Sequence, residues 1–193
     1  LLWPLSSRRW EIDEEAEGDS QKAEYLAAQR SLRPSQAPRV ILIVADDLSQ
    51  MDLRRYGGAH APVPTPWIDR IGDEGATFTD ATVTATICAP SRAAILTGRY
   101  QQRYGFELQP HDRYARNRLE YLGFRWIIDT GHMRPVGPQA IPRTTDIARQ
   151  GLPASEVTLA ELLSARGYAT AAFGKWHLGY EKRFSPLKRG FDE

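Results

Sequence analysis

The feature that most constrains this chain is the run Val40-Ile41-Leu42-Ile43-Val44-Ala45, apolar throughout, rich in β-branched residues and ending in Asp46-Asp47. A run without polar alternation suits a strand buried on both faces of a parallel sheet, not a half-solvated antiparallel one. Thr65-Pro66 then opens a helix to about Glu74, with Thr65 as N-cap, Pro66 in the first turn and Gly75 as the stop. Residues 77 to 83 read as a short strand. Thr158 and Glu161 form a capping box before the apolar face Leu159, Leu162 and Leu163, and Gly167 ends that helix. Residues 168 to 173 form a further predicted strand, so strand and helix alternate and the expected class is α/β with a largely parallel sheet flanked by helices.

Composition removes several functions. Lys plus Arg number 25 against 24 Asp plus Glu, a net charge of +1. A phosphate-neutralising surface is therefore not expected, and nucleic acid is set aside as a partner. The single cysteine, Cys88, excludes an internal disulfide and a multi-cysteine zinc site. No apolar run approaches the roughly 20 residues of a membrane helix. Leu1-Leu2-Trp3-Pro4-Leu5 is too short to be a signal peptide, and none is visible in this chain.

Two stretches depart from the regular pattern. Residues 1–38 carry the acidic positions Glu11, Asp13, Glu14, Glu15, Glu17 and Asp19 and are expected to form a solvated, disordered arm, although Ala23 to Arg30 could form a short helix. Residues 107–150 look like an insertion in the remaining 39–193, irregular and rich in arginines and aromatics (Arg113, Tyr114, Arg116, Arg118, Tyr121, Trp126). They read as a surface subdomain or as an entrance for a polyanionic ligand.

In open α/β sheets, ligands bind beyond the carboxyl ends of the strands. Asp46 and Asp47 follow the first strand there, Cys88 the second, and Lys175 and His177 the third. Taken singly, paired aspartates often make a turn, a lone cysteine is usually a small buried hydrophobe, and a lone histidine is more often structural. His60, His111 and His132 have no comparable setting. Cys88, however, precedes a Pro-Ser-Arg helix start, where free amides and the helix dipole favour an anion. Arg92 adds a fork-shaped cation one turn in. Two aspartates would repel such an anion unless a divalent cation lay between, and hard oxygen donors suit Ca²⁺ or Mg²⁺ rather than zinc. Lys175 and His177, alternate residues of an extended segment, can reach one ligand. Together these residues point to a metal-assisted site for an anionic ester.

The motif Cys88-x-Pro90-Ser91-Arg92-x-x-x-Leu96-Thr97-Gly98 resembles the signature of the type I, formylglycine-dependent sulfatases, arylsulfatases among them. Thr65-Pro66-Trp67-Ile68-Asp69-Arg70 and Gly174-Lys175-Trp176-His177-Leu178-Gly179 are similar to further stretches of that family, in the same order. The resemblance covers Arg39 to Glu193 apart from the insertion. It implies an alkaline-phosphatase-like α/β fold, incomplete in this chain, and hydrolysis of a sulfate monoester to an alcohol or phenol plus sulfate.

It also implies roles residue by residue. Cys88 would be oxidised to formylglycine by a formylglycine-generating enzyme that reads Pro90 and Arg92, and Arg92 would steady the hydrated aldehyde. Asp46, Asp47 and the matured Cys88 would hold Ca²⁺, with Mg²⁺ second. Lys175 would contact the sulfate and the nucleophile, and His177 would assist sulfate release. A secreted, periplasmic or lysosomal location follows from the resemblance alone.

Trp67 departs from the family's usual asparagine, which touches packing more than chemistry. The family draws a second Asp-Asn metal pair, a histidine and a lysine from sequence that these 193 residues do not contain, so the chain alone is expected to be inactive. Two alternatives stay open: a phosphonate or phosphate monoester hydrolase of the same superfamily, and a non-catalytic, truncated relative acting as a binding module. The sequence leaves the particular ester and the oligomeric state undetermined.

Overall fold

The computed structural model describes residues 9–12, 16–32, 34, 36–107, 109, 119, 122–123, 126–127, 133–137 and 150–193. Arg113, Tyr114, Arg116, Arg118, Tyr121, His111 and His132, and with them most of the insertion, lie outside the described residues, as do Leu1 to Leu5. The named elements are β1 (Arg9–Ile12), α1 (Ala16–Gln29), α2 (Arg54–Gly57), α3 (Pro66–Glu74), α4 (Cys88–Thr97), β2 (Met133–Gly137) and α5 (Leu159–Ala165). They fall into two compact units, residues 38–83 and residues 1–37 with 84–193. No helix among the described residues is long and apolar enough to cross a membrane.

In the 38–83 unit, α3 begins and ends where its cap and stop residues predict, with Thr65 at the N-cap and Pro66 at the first position. The Thr65 hydroxyl nevertheless turns away from the helix amides. It accepts from Arg54 N–H at 3.3 Å and donates to Asp69 Oδ2 at 3.3 Å, which ties α2 to α3. Ser49 and Asp52 form a capping box over the turn at residues 50–52. The Tyr56 hydroxyl donates to Phe78 O at 2.8 Å.

The strands expected at 40–45 and 77–83 do not form. Val40 to Ala45 carries no regular secondary structure, and Ile41 and Ile43 stand 82 % and 77 % exposed. A strand exists through its ladder of bonds to a neighbour, and an apolar run without one stays an isolated segment whatever its propensity.

In the other unit the core gathers Ala89, Ala93, Tyr104, Phe106, Leu152 and Leu178, with Leu96 and Trp176 packed at its edge. Ala89 and Ala93, one helical turn apart, give α4 a small-residue face that lets the helix sit close to Phe106 and Leu152. α5 carries the expected capping box: Thr158 Oγ1 accepts from Glu161 N–H at 3.1 Å, and Glu161 Oε2 accepts from Thr158 N–H at 2.8 Å. It stops at Ala165, two residues before Gly167 in the left-handed region.

Residues 168–173 are not a strand either. They bond to the segment at 190–193, Asp192 N–H donating to Thr170 O at 2.8 Å and Ala172 N–H to Glu193 O at 2.9 Å, while Tyr168 N–H turns back to Leu163 O at 3.1 Å. Among the described residues the one sheet is antiparallel, β1 with β2, matching Ile12 to Met133 and Glu11 to Arg134. The largely parallel sheet expected from the sequence is therefore not seen among them.

α1 holds Ala23 to Gln29 of the Ala23 to Arg30 stretch expected as a short helix, with Arg30 in the turn that follows, and packs on α5. Its Lys22 donates to Glu161 Oε1 at 2.7 Å, and its Gln29 accepts from Arg166 at 2.7 Å.

Candidate functional site

Cys88 opens α4, directly after Ile87 in an extended N-cap conformation. Its position is set by Ser91, whose hydroxyl donates back to Ala85 O at 2.7 Å and so ties the loop before the cysteine to the helix after it. Pro90 suits the first turn, where an amide proton would lack an intrahelical acceptor in any case. No acidic side chain occupies that turn, so the positive end of the helix dipole is not offset from within it.

The far end of the motif is equally determined. Gly98 caps α4 in the left-handed region, at φ 64° and ψ 18°, with its N–H on Ala94 O at 2.8 Å. Thr97 Oγ1 donates to Ala93 O at 2.8 Å and stands 3.1 Å from the Tyr104 hydroxyl. Burial pushes the Tyr104 phenol above its ordinary range, and the nearby Glu156 carboxylate adds to this; the Thr97 hydrogen bond and the Arg99 and Arg189 cations oppose it. Arg99 Nη1 in turn donates to both carboxylate oxygens of Glu156, at 2.8 and 2.7 Å. The Leu-Thr-Gly stretch thus terminates the helix and anchors it to the loop before α5.

Opposite Cys88 runs the segment Gly174 to Gly179. Arg92 Nη1 donates to Lys175 O at 2.7 Å, and Lys175 Nζ reaches Cys88 Sγ at 3.4 Å. Three of the predicted residues therefore meet: Arg92 fixes the backbone of the lysine whose ammonium faces the thiol. His177 follows two residues later at φ 63°. A non-glycine residue in this region costs of order 1–3 kcal/mol, and such strain clusters at functional sites.

Two neighbours hold that segment. Trp176 Nε1 donates to Phe184 O at 2.7 Å, and its ring meets Phe191 edge-on at 5.9 Å. Leu178 is fully buried, and its carbonyl accepts from Leu152 N–H at 2.8 Å beside an antiparallel bridge from Gly151 to Gly179. Both glycines are required by the Phe184 ring, since a Cβ at either would lie 2.4 to 2.5 Å from it.

Asp46 and Asp47 belong to the 38–83 unit, where both are exposed at a bend. Asp47 lies at φ 55°, and with His177 it makes the pair of non-glycine residues at positive φ among the described residues. Two consecutive carboxylates offer hard oxygen donors, a chemistry that fits Ca²⁺ or Mg²⁺.

The supporting contacts of Ser91, Thr97, Arg99 and Phe184 escaped sequence reasoning. The only signal for Phe184 was the paired glycines at 151 and 179, which mark a close approach without naming what approaches.

A family model described as Sulfatase matches residues 38–193. Steryl-sulfatase of Mus musculus is 40 % identical over 161 residues, which are 80 % of this chain and 21 % of that protein. Arylsulfatase A of Homo sapiens is 38 % identical over 168 residues, 86 % of this chain and 26 % of its own. The N-acetylgalactosamine-6-sulfatase of Homo sapiens is 36 % identical over 159 residues, 82 % and 25 %. Among solved structures, Ps i-CgsB superposes with a TM-score of 0.59 at 32 % identity, over 81 % of this chain and 27 % of that one. The chain spans about a quarter of the length of these relatives.

Proposed function

The chain belongs to the sulfatase family, with its alkaline-phosphatase-like fold, and from that premise we propose that it is the N-terminal part of an enzyme that hydrolyses a sulfate monoester to an alcohol or phenol plus sulfate. The observation that carries this reading is the meeting of Cys88 Sγ with Lys175 Nζ, the lysine held in turn by Arg92.

In the proposal Cys88 is matured to formylglycine by a formylglycine-generating enzyme, and the hydrated aldehyde so made supplies the oxygen nucleophile. Lys175 binds the sulfate group and offsets the negative charge that builds as it transfers. Arg92 holds Lys175 in place and directs its cation to the same centre. His177 moves a proton at its imidazole as sulfate is released. Asp46 and Asp47 hold a divalent cation, Ca²⁺ before Mg²⁺, which supplies Lewis-acid polarisation of the anionic group when bound.

The parallel sheet belongs to this proposal too. Val40 to Ala45 and Tyr168 to Phe173 are its strands in the full catalytic domain, which is supported by their apolar character and present exposure. Because the chain spans about a quarter of its relatives, turnover is assigned to the whole protein and not to these 193 residues. A secreted, periplasmic or lysosomal setting goes with the assignment.

The test is a longer protein carrying this segment, co-expressed with the maturing enzyme and offered matched aryl sulfate and aryl phosphate esters. Sulfate ester turnover, reduced about a thousandfold or more in Cys88→Ala, is the expected outcome. Preferred turnover of the phosphate or a phosphonate ester would move the assignment to that neighbouring hydrolase class. Sulfate binding without turnover of any ester would make the chain a binding module.

A further inference from the structure

Residues 1–37 lie outside the stretch matched to the family, yet α1 is fastened to the unit that carries Cys88, Lys175 and His177. Lys22 Nζ donates to three acceptors: Ala154 O at 2.7 Å, Glu156 O at 3.0 Å and Glu161 Oε1 at 2.7 Å. Its side chain is only 14 % exposed, that of Glu161 10 %. Two turns further along the same face, Gln29 is buried and accepts from Arg166 Nη2.

The backbone that Lys22 grips is the loop that clamps the proposed site. Leu152 N–H donates to Leu178 O and Gly151 bridges Gly179, so residues 151–156 fix the segment carrying His177. Arg189 donates to Leu152 O and Pro153 O, and shares both Glu156 O and the Glu161 carboxylate with Lys22. Two cations on one carboxylate thus hold the loop between them, one from the α1 arm and one from the family-matched region. A loop satisfied in this way has little reason to open locally while both cations stay in place.

We infer that α1 is a strap and Lys22 its latch, a positioning residue that seats the 151–156 loop and, through the Leu152–Leu178 bond, sets the segment bearing Lys175 and His177. The inference goes beyond the ester chemistry and holds whether or not that chemistry does, because its readout is local opening.

Hydrogen exchange measured by mass spectrometry on the full chain tests it in wild type, Lys22→Gln and Lys22→Arg. Lys22→Gln should speed exchange about tenfold in the peptides covering 150–157 and 174–180 while leaving α4 unchanged. Lys22→Arg, which keeps the cation and its donors, should restore most of the protection. Unchanged exchange in those two peptides would overturn the inference. So would acceleration spread equally into α4, or loss of helical circular dichroism in Lys22→Gln, since α1 would then be a general support and not a latch. A Lys22→Arg chain that exchanges like Lys22→Gln would also count against it.

Discussion

Leu178 and Ile41 are aliphatic residues in two segments that lead to proposed site residues, and their surroundings are opposite. Leu178 is fully buried among Ala89, Phe106 and Leu152, and its backbone is bonded to a neighbouring loop; Ile41 stands 82 % exposed in a run with no ladder. The segment carrying Lys175 and His177 thus rests on packing that its own unit completes. Asp46 and Asp47, in the other unit, sit at the end of an apolar run that stays largely exposed. Apolar sequence is a demand for burial, and whether the demand is met depends on what else the chain brings to it.

Paired truncations should break or sharpen that contrast. Leu178→Ala is expected to cost about 2–5 kcal/mol, while Ile41→Ala stays within about 0.5 kcal/mol. Urea unfolding midpoints on the full chain would measure both, and similar losses at the two positions would dissolve the distinction. Gly151→Ala tests the same packed side with a smaller effect, about 1–3 kcal/mol, because the new Cβ must displace the Phe184 ring. A methyl tolerated there without loss would mean that the clamp on Gly179 is loose.

A weaker effect is expected at high pH. The Tyr104 phenol is raised above its usual value of 10.0, chiefly by burial. Folded and unfolded phenols are both neutral well below pH 10, so the full contribution is present there. Above it the unfolded phenol ionises first, and stability falls until pH passes the folded value. Tyr104→Phe should lower stability at neutral pH, through loss of the Thr97 contact, yet flatten the decline between about pH 9 and 11. An unchanged slope in the variant would remove Tyr104 from the alkaline loss.

Local signals were the legible part of the fold. The capping box of Thr158 and Glu161, Pro66 at a helix start and Gly98 at a helix end all lie where short-range chemistry puts them. The strands were the illegible part, because a strand is a relation between segments and Val40 to Ala45 has no ladder partner among the described residues. The site divides in the same way. Cys88 and Arg92 could be singled out because the motif compresses a helix start and its cation into a few residues, and Lys175 because it follows a predicted strand. Ser91, Phe184 and Lys22 act through contacts spanning 6, 8 and 132 to 139 residues, and no local pattern marks their partners. Lys22 was least visible of all, since an acidic, apolar-poor stretch gives no sign that one of its lysines has three acceptors waiting.

The central claim is that Cys88 stands in a site built for sulfate ester chemistry, and its maturation tests that most directly. Protein isolated from its native source should yield a tryptic peptide, Ile71 to Arg92, about 18 Da lighter than the unmodified sequence, because conversion to formylglycine oxidises the thiol-bearing carbon to an aldehyde, losing sulfur and two hydrogens and gaining one oxygen. That mass would support the nucleophile assigned here. A peptide found only at the unmodified mass would contradict the account, leaving Cys88 an ordinary thiol and the chain a relative that binds without turning over.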